Sequence, residues 1–146
     1  MAEPVTIYTI GYQGRSLEDF SAALAAAKID VVVDIRSRPI SRRHEFSKNR
    51  LAAHLNRLGV AYWHLPELGM PLDLLAHRSP SDGNAKILAA YRRLLPNQFP
   101  ALLRLRESAS SATICLLCFE ANAAHCHRSI VADQLRDQWQ LEIRHL

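Results

Sequence analysis

The amino-acid sequence predicts an α/β domain: a three-layer sandwich in which a mostly parallel, roughly five-stranded sheet is flanked by helices. Three observations predict it. Two nearly continuous apolar runs, Val31 to Ile35 and Thr113 to Phe119, have the composition of strands buried on both faces, as parallel strands are when helices cover the sheet. Strand-like and helix-like segments alternate along the chain, the order that crossover-connected parallel strands require. A length of 146 residues suffices for one core and not for two ordinary ones, so a single domain spanning 1–146 is expected.

Each element has a local reason. Val5 to Ile10 is β-branched and aromatic, and Gly11 lets the chain turn after it. Ser16 is placed to cap a helix whose apolar positions are Leu17, Phe20, Leu24 and Ala27. The run at Val31 ends in polar residues and Pro39. Ser47 to Leu58 then carries Leu51, His54 or Leu55, and Leu58 on one stripe, with Gly59 suited to the position just past a helix end. Val60 to Leu65 reads as a third strand. Pro66 to Gly83 is broken by Pro, Gly, Ser and Asp, with at most a helical turn around Leu72 to His77. Ala85 to Leu95 and Phe99 to Arg106 are helical, with interruptions near Pro96 and Pro100. Arg128 to Trp139 is a closing helix, and Leu141 to Leu146 an edge strand.

Composition narrows the function classes. Half the residues are hydrophobic and under a quarter charged, the balance of a folded globular chain rather than a disordered one. No apolar stretch approaches the roughly 20 residues that span a bilayer, so no membrane partner is expected. Met1-Ala2-Glu3-Pro4 lacks a basic segment ahead of an apolar core, so a cytoplasmic location is expected. Cys115, Cys118 and Cys126 are an odd set without an export signal, and are expected to be reduced thiols. The net charge of +4 comes almost wholly from arginine, and seven Lys/Arg against the single acid Glu45 lie between Arg36 and Arg57. Planar guanidiniums suit carboxylate or phosphate, so a small anionic ligand or phosphate group is the expected partner, with nucleic acid as the alternative.

Ligands of open parallel sheets gather at the carboxyl ends of the strands. That rule selects Gly11 to Arg15, Asp34 to Pro39, and Cys118-Phe119-Glu120 running on to Cys126-His127-Arg128. Over essentially its whole length the chain resembles the domain of unknown function 488 family. The resemblance is carried by Thr9-Ile10-Gly11, by Asp34, Arg36 and Pro39 in an Asp-x-Arg-x-x-Pro segment, and by Leu65-Pro-x-Leu-Gly at Gly69. Its most specific part is Leu117-Cys118-x-Glu120 followed by Cys126-His127-Arg128. It differs from the family pattern at Tyr12-Gln13, where His-Ser is more usual, and at Met70, where a second Gly is usual. The resemblance implies an α/β fold and a shared pocket, and no established reaction. A weaker likeness is to rhodanese-like domains, whose loop from Cys to helix closes in about five or six residues. Here Cys118 stands ten positions before Arg128.

Residue types at these strand ends then suggest chemistry. On a strand Cys115 and Cys118 point to opposite faces, so they cannot grip one metal or pair with each other. Cys115 reads as core; Cys118 sits where the strand ends and either packs or reaches the site. Cys126 starts a helix whose unpaired N–H groups favour thiolate, beside His127 and Arg128, and is the expected reactive thiol. Glu120 is either a salt-bridge partner for Arg128 or Arg36 or a general acid/base. Arg36 shares a face with Asp34 and is either the expected anion ligand or internally paired, with Arg128, Arg42 and Arg43 as further positive groups. Cys118, His125, Cys126 and His127 resemble a zinc set, but adjacent positions 125 to 127 cannot all converge, so no metal and no cofactor are expected. Tyr62, Trp63 and His64 read as strand core, with base stacking as the sharper alternative. The expected function is an anion-binding pocket lined by Arg, Cys and His, with thiol-dependent enzyme chemistry carried by Cys126, Glu120 and His127. The alternative is a nucleic-acid module using Arg36 to Arg57.

Overall fold

The structure, a computed structural model, describes residues 5–76 and 84–146. Its sheet has five strands: β1 (Thr6–Gly11), β2 (Val31–Asp34), β3 (Ala61–His64), β4 (Ile114–Cys118) and β5 (Glu142–His145). All are parallel, in the order β3-β2-β4-β1-β5. The two apolar runs therefore become neighbours at the centre, with Val33 opposite Leu116 and Asp34 opposite Leu117. The short strands β3 and β5 form the edges, where half-buried and exposed residues are tolerated.

Side-chain alternation sorts the helices into two layers. Val32, Cys115 and Leu117 face one core with Phe20 and Leu24 of α1 (Leu17–Ala26) and Leu51 and Leu55 of α2 (Lys48–Arg57). Val31, Val33, Ile114, Leu116 and Cys118 face the other. There they meet Ile87 and Tyr91, Leu102 and Leu105, and Ile130, Val131 and Leu135. These come respectively from α4 (Ala85–Leu94), α5 (Phe99–Ala109) and α6 (His127–Trp139). Cys115 and Cys118 lie in different cores, as strand alternation requires.

The helix boundaries follow local chemistry. Ser16 Oγ accepts from the Asp19 N–H at 3.0 Å and caps α1. Gly59, at φ 77°, takes the left-handed position after α2, where a side chain would be strained. The broken segment after Leu65 holds a 3₁₀ turn at Pro66–Leu68 and one short helix, α3 (Leu72–Leu75). The rest of that expected loop, 77–83, and the expected absence of a leader at residues 1–4 lie outside the described residues. Among the described residues no helix is long and apolar enough to cross a membrane.

Candidate functional site

At the carboxyl edge of the sheet the chain leaves β2, β4 and β1 in three loops that close around a cleft of about 830 Å³. That volume suits a small molecule. Its positive side carries Arg36, Arg38, Arg42 and Arg43, and its apolar side includes Ile40, Met70, Leu72, Ile87, Leu88 and Phe119. Cys118, Glu120, His125 and His127 line it as well.

Arg36 emerges from β2 on the same face as Asp34 and is 7% exposed. Its Nε and Nη2 donate to the two Asp34 oxygens at 2.8 and 2.6 Å, its backbone N–H donates to Oδ1 at 3.1 Å, and Nη1 donates to the Tyr12 hydroxyl at 3.4 Å. Burial opposes the charge, but Asp34 and then Tyr12 outweigh it and raise the Arg36 pKa above its ordinary value. The Tyr62 hydroxyl donates to Asp34 Oδ2. Burial and then the Asp34 charge push the Tyr62 pKa up, so the phenol stays protonated. This carboxylate thus organises two side chains, Arg36 and Tyr62, before any ligand arrives, and gives an internal partner to an arginine read as either anion ligand or internally paired.

The strand-end carbonyls are held by two imidazoles. His64 Nε2 lies 2.7 Å from the Arg36 carbonyl and His127 Nε2 2.8 Å from the Ile35 carbonyl. A carbonyl only accepts, so each Nε2 carries a proton, and in the neutral His127 ring Nδ1 keeps a lone pair. Burial lowers the His127 pKa to about 4, with the nearby Arg128 charge acting in the same direction and the Ile35 and Asp34 contacts opposing it.

The cysteines depart from expectation. Cys118, the last residue of β4, and Cys126, the residue that caps α6, are joined by a disulfide; only the buried Cys115 is free. The expectation of three reduced thiols is corrected. It rested on compartment and an odd count, whereas the pairing is set by position: strand alternation aims Cys118 at α6, and the intervening loop, with a 3₁₀ turn at Ala123–His125, returns Cys126 to it. His127 Nδ1 lies 3.9 Å from Cys126 Sγ, and Glu120 Oε2 lies 3.9 Å from Cys118 Sγ. Burial pushes the Cys115 thiol up in pKa, in keeping with an inert core residue.

Arg128 is fully buried on α6. Its Nε donates to Thr9 Oγ1 at 3.1 Å, Nη2 to the Ala121 carbonyl at 3.1 Å, and Nη1 both to the Glu120 carbonyl and toward Cys118 Sγ at 3.2 Å. Glu120 meets Arg128 through its backbone, not as the salt bridge that the sequence allowed. Desolvation lowers the Arg128 pKa. Gly11 makes this approach feasible, because a Cβ there would overlap the Glu120 carbonyl and stand 2.9 Å from Arg128 Nη1.

Of the residues singled out from sequence, Arg36, Arg42, Arg43, Glu120 and His127 reach the cleft, whereas Cys126 and Arg128 are sealed beneath it. This Cys/His/Arg cluster coincides with the stretch that most resembled a family, and comparison with known proteins agrees. The profile described as Domain of unknown function DUF488 matches residues 16–135. The chain belongs to the DUF488 family. No curated protein and no solved structure matches it. Within this DUF488 chain the sequence assigns Thr9 no site role and reads Tyr62 and His64 as strand core or base-stacking residues; their hydrogen bonds here, like that of Tyr62 to Asp34, depend on cross-strand neighbours. The period-2 pattern that put Asp34 and Arg36 on one face was the available signal.

Proposed function

We propose that this DUF488 protein is a thiol-dependent enzyme acting on a small anionic substrate in the arginine-lined cleft, with Cys118 and Cys126 alternating between dithiol and disulfide. The carrying observation is the sulfur pair at the carboxyl end of β4, one member of which lines the cleft with a buried guanidinium 3.2 Å away. Arg38, Arg42 and Arg43 attract the anion; Arg36, held by Asp34, shapes the wall beside them. Arg128 favours thiolate at Cys118, and Cys126 beside it is the resolving thiol.

With a disulfide substrate the chemistry balances. The Cys118 thiolate attacks one substrate sulfur and displaces the other as a thiolate. The first released substrate thiolate takes up the Cys126 proton, and Cys126 attacks Cys118 Sγ, closing the protein disulfide and releasing the second substrate thiolate. Dithiodiglycolate, a dianionic disulfide, and neutral 2-hydroxyethyl disulfide test this. Mass spectrometry of the reduced protein should show two thiols lost and Cys115 retained, faster with the dianion. Cys118→Ser should abolish the reaction, and Arg42→Ala with Arg43→Ala should raise KM more than it lowers kcat. Equal rates for both disulfides, or oxidation no faster than that of a free thiol, would remove the reading.

The nucleic-acid alternative has less support. Within the stretch from Arg36 to Arg57, Arg36 is paired with Asp34 and Arg43 with Glu45, while Arg50 and Arg57 border a second hollow with Leu17 and His54.

A further inference from the structure

Three soft ligand atoms, Cys118 Sγ, Cys126 Sγ and a His127 ring nitrogen, lie within 4.8 Å of one another. The sequence argument against zinc was that residues 125, 126 and 127 cannot all converge. The fold answers it by turning His125 away into the cleft lining and bringing in Cys118 from β4. We propose that the reduced protein binds a thiophilic divalent cation of the zinc type through Cys118, Cys126 and His127 Nδ1, and that forming the Cys118–Cys126 disulfide expels it. The proposal rests on the reading above only in requiring that the sulfur pair be reducible.

Four features support it. His127 donates from Nε2 to the Ile35 carbonyl, which leaves Nδ1 as the lone-pair nitrogen on the sulfur side; such an outer hydrogen bond commonly fixes a histidine ligand's tautomer. The Cα atoms of the two cysteines stand 7.5 Å apart, beyond the roughly 4.4–6.8 Å usual across a disulfide, so the backbone leaves room for an ion between the sulfurs. Zinc–sulfur bonds of about 2.3 Å in a tetrahedral site need sulfurs roughly 3.8 Å apart, within reach of modest side-chain rotation. Arg128 Nη1 points at Cys118 Sγ as a hydrogen-bond donor to a ligating thiolate would. Charge also closes at the sulfurs: a dication offsets two thiolates, and Glu120 Oε2, 3.9 Å from Cys118 Sγ, stands near enough to take the fourth position. Cys118 borders the cleft, so that position is reachable by water or substrate.

When a hydroperoxide is the oxidant, the two thiolates give up two electrons and become the disulfide. The peroxide takes those electrons and two protons to yield an alcohol and water, and the cation leaves unchanged in charge.

Cobalt(II) is the direct probe. Full-length protein, reduced anaerobically and shown to carry three free thiols, is titrated with Co2+ and then with Zn2+. One equivalent should produce a thiolate-to-cobalt charge-transfer band and tetrahedral d–d bands, both lost when zinc displaces cobalt. Cys115→Ser should leave the spectrum unchanged. Cys118→Ser or Cys126→Ser should roughly halve the charge-transfer intensity and weaken binding more than about tenfold, the least that losing an outer-shell partner costs. His127→Gln should shift the d–d bands. Hydrogen peroxide should release one ion per disulfide formed. Absence of the bands in folded, fully reduced wild-type protein overturns the proposal, as does equal binding by the Cys118→Ser, Cys126→Ser double variant. If the reduced protein binds cobalt but peroxide leaves all three thiols free, the site stands, while its expulsion step and the dithiol–disulfide reading fall.

Discussion

Arg36 and Arg128 are both buried at the carboxyl edge of the same sheet, yet a carboxylate holds one and neutral groups hold the other. Asp34 takes two side-chain hydrogen bonds from Arg36, so the charge travels as a compensated pair and the pKa rises. Among the described residues no carboxylate lies within ion-pair distance of Arg128; its acceptors are two backbone carbonyls, a hydroxyl and a sulfur, and its pKa falls. A buried cation without a counter-ion is costly unless an anion is to share the site. The contrast separates a structural arginine from one poised for negative charge, and a Cys118 thiolate is the anion within reach.

The largest expected effect breaks the compensated pair. Asp34→Asn leaves Arg36 buried without its anion and weakens the Tyr62 contact, so urea unfolding should show a loss of about 3–5 kcal/mol. Replacing both partners, Asp34→Leu with Arg36→Met, should recover much of that loss, since a buried pair exchanged for apolar groups is often close to neutral. If the double variant is as unstable as the single, the two residues do not act as a closed unit.

Arg128→Met should cost somewhat less, because each orphaned carbonyl costs about 1–3 kcal/mol while the desolvation of the guanidinium is relieved. No second substitution at a carboxylate should rescue it. Arg128→Lys should rescue only in part, because an ammonium cannot reproduce the planar fork that reaches Thr9, Glu120, Ala121 and Cys118 together. Rescue by lysine to wild-type stability would show that charge alone matters there.

Gly11→Ala sharpens the contrast at the backbone. The nearest atoms to the added methyl are the Glu120 carbonyl, which it overlaps, and Arg128 Nη1, which it crowds, so overpacking should cost about 1–3 kcal/mol. In a double-mutant cycle it should couple to Arg128→Met and add independently to Arg36→Met. Additivity with both would place the strain elsewhere.

The exposed arginines should move stability least. Arg42→Ala should stay within about 0.5 kcal/mol of wild type while weakening dithiodiglycolate binding in isothermal titration. The same variants measure the nucleic-acid alternative. If duplex DNA binds there, removing Arg42 and Arg43 should flatten the log–log salt dependence by up to about two units, at roughly 0.9 per phosphate contact. No binding at low salt excludes that role.

Much of this architecture was legible without coordinates, because its signals are local. Ser16 reads as a cap from its place before the apolar periodicity of α1, and Gly59 as a helix stop. Val31 to Ile35 and Thr113 to Phe119 read as central strands because only a doubly covered strand accommodates apolar residues on both faces, and β2 and β4 lie within them. The candidate site was legible in part. The carboxyl-edge rule brought Arg36 and His127 to one cleft, and strand alternation left Arg36 either free for an anion or paired internally, but neither could tell that Arg128 would turn inward.

What the sequence by itself determined, then, is the alternation of strand and helix, the parallel sheet, the edge at which ligands gather and the residue types that meet there. The rest was decided by tertiary structure: which sulfur meets which, which arginine is neutralised, and which imidazole nitrogen keeps its lone pair. The physical reason is range. Period and capping are written within a few neighbouring residues, whereas the Cys118–Cys126 bond, the His127 contact with Ile35 and the reach of Arg128 to Thr9 exist only after distant segments have packed.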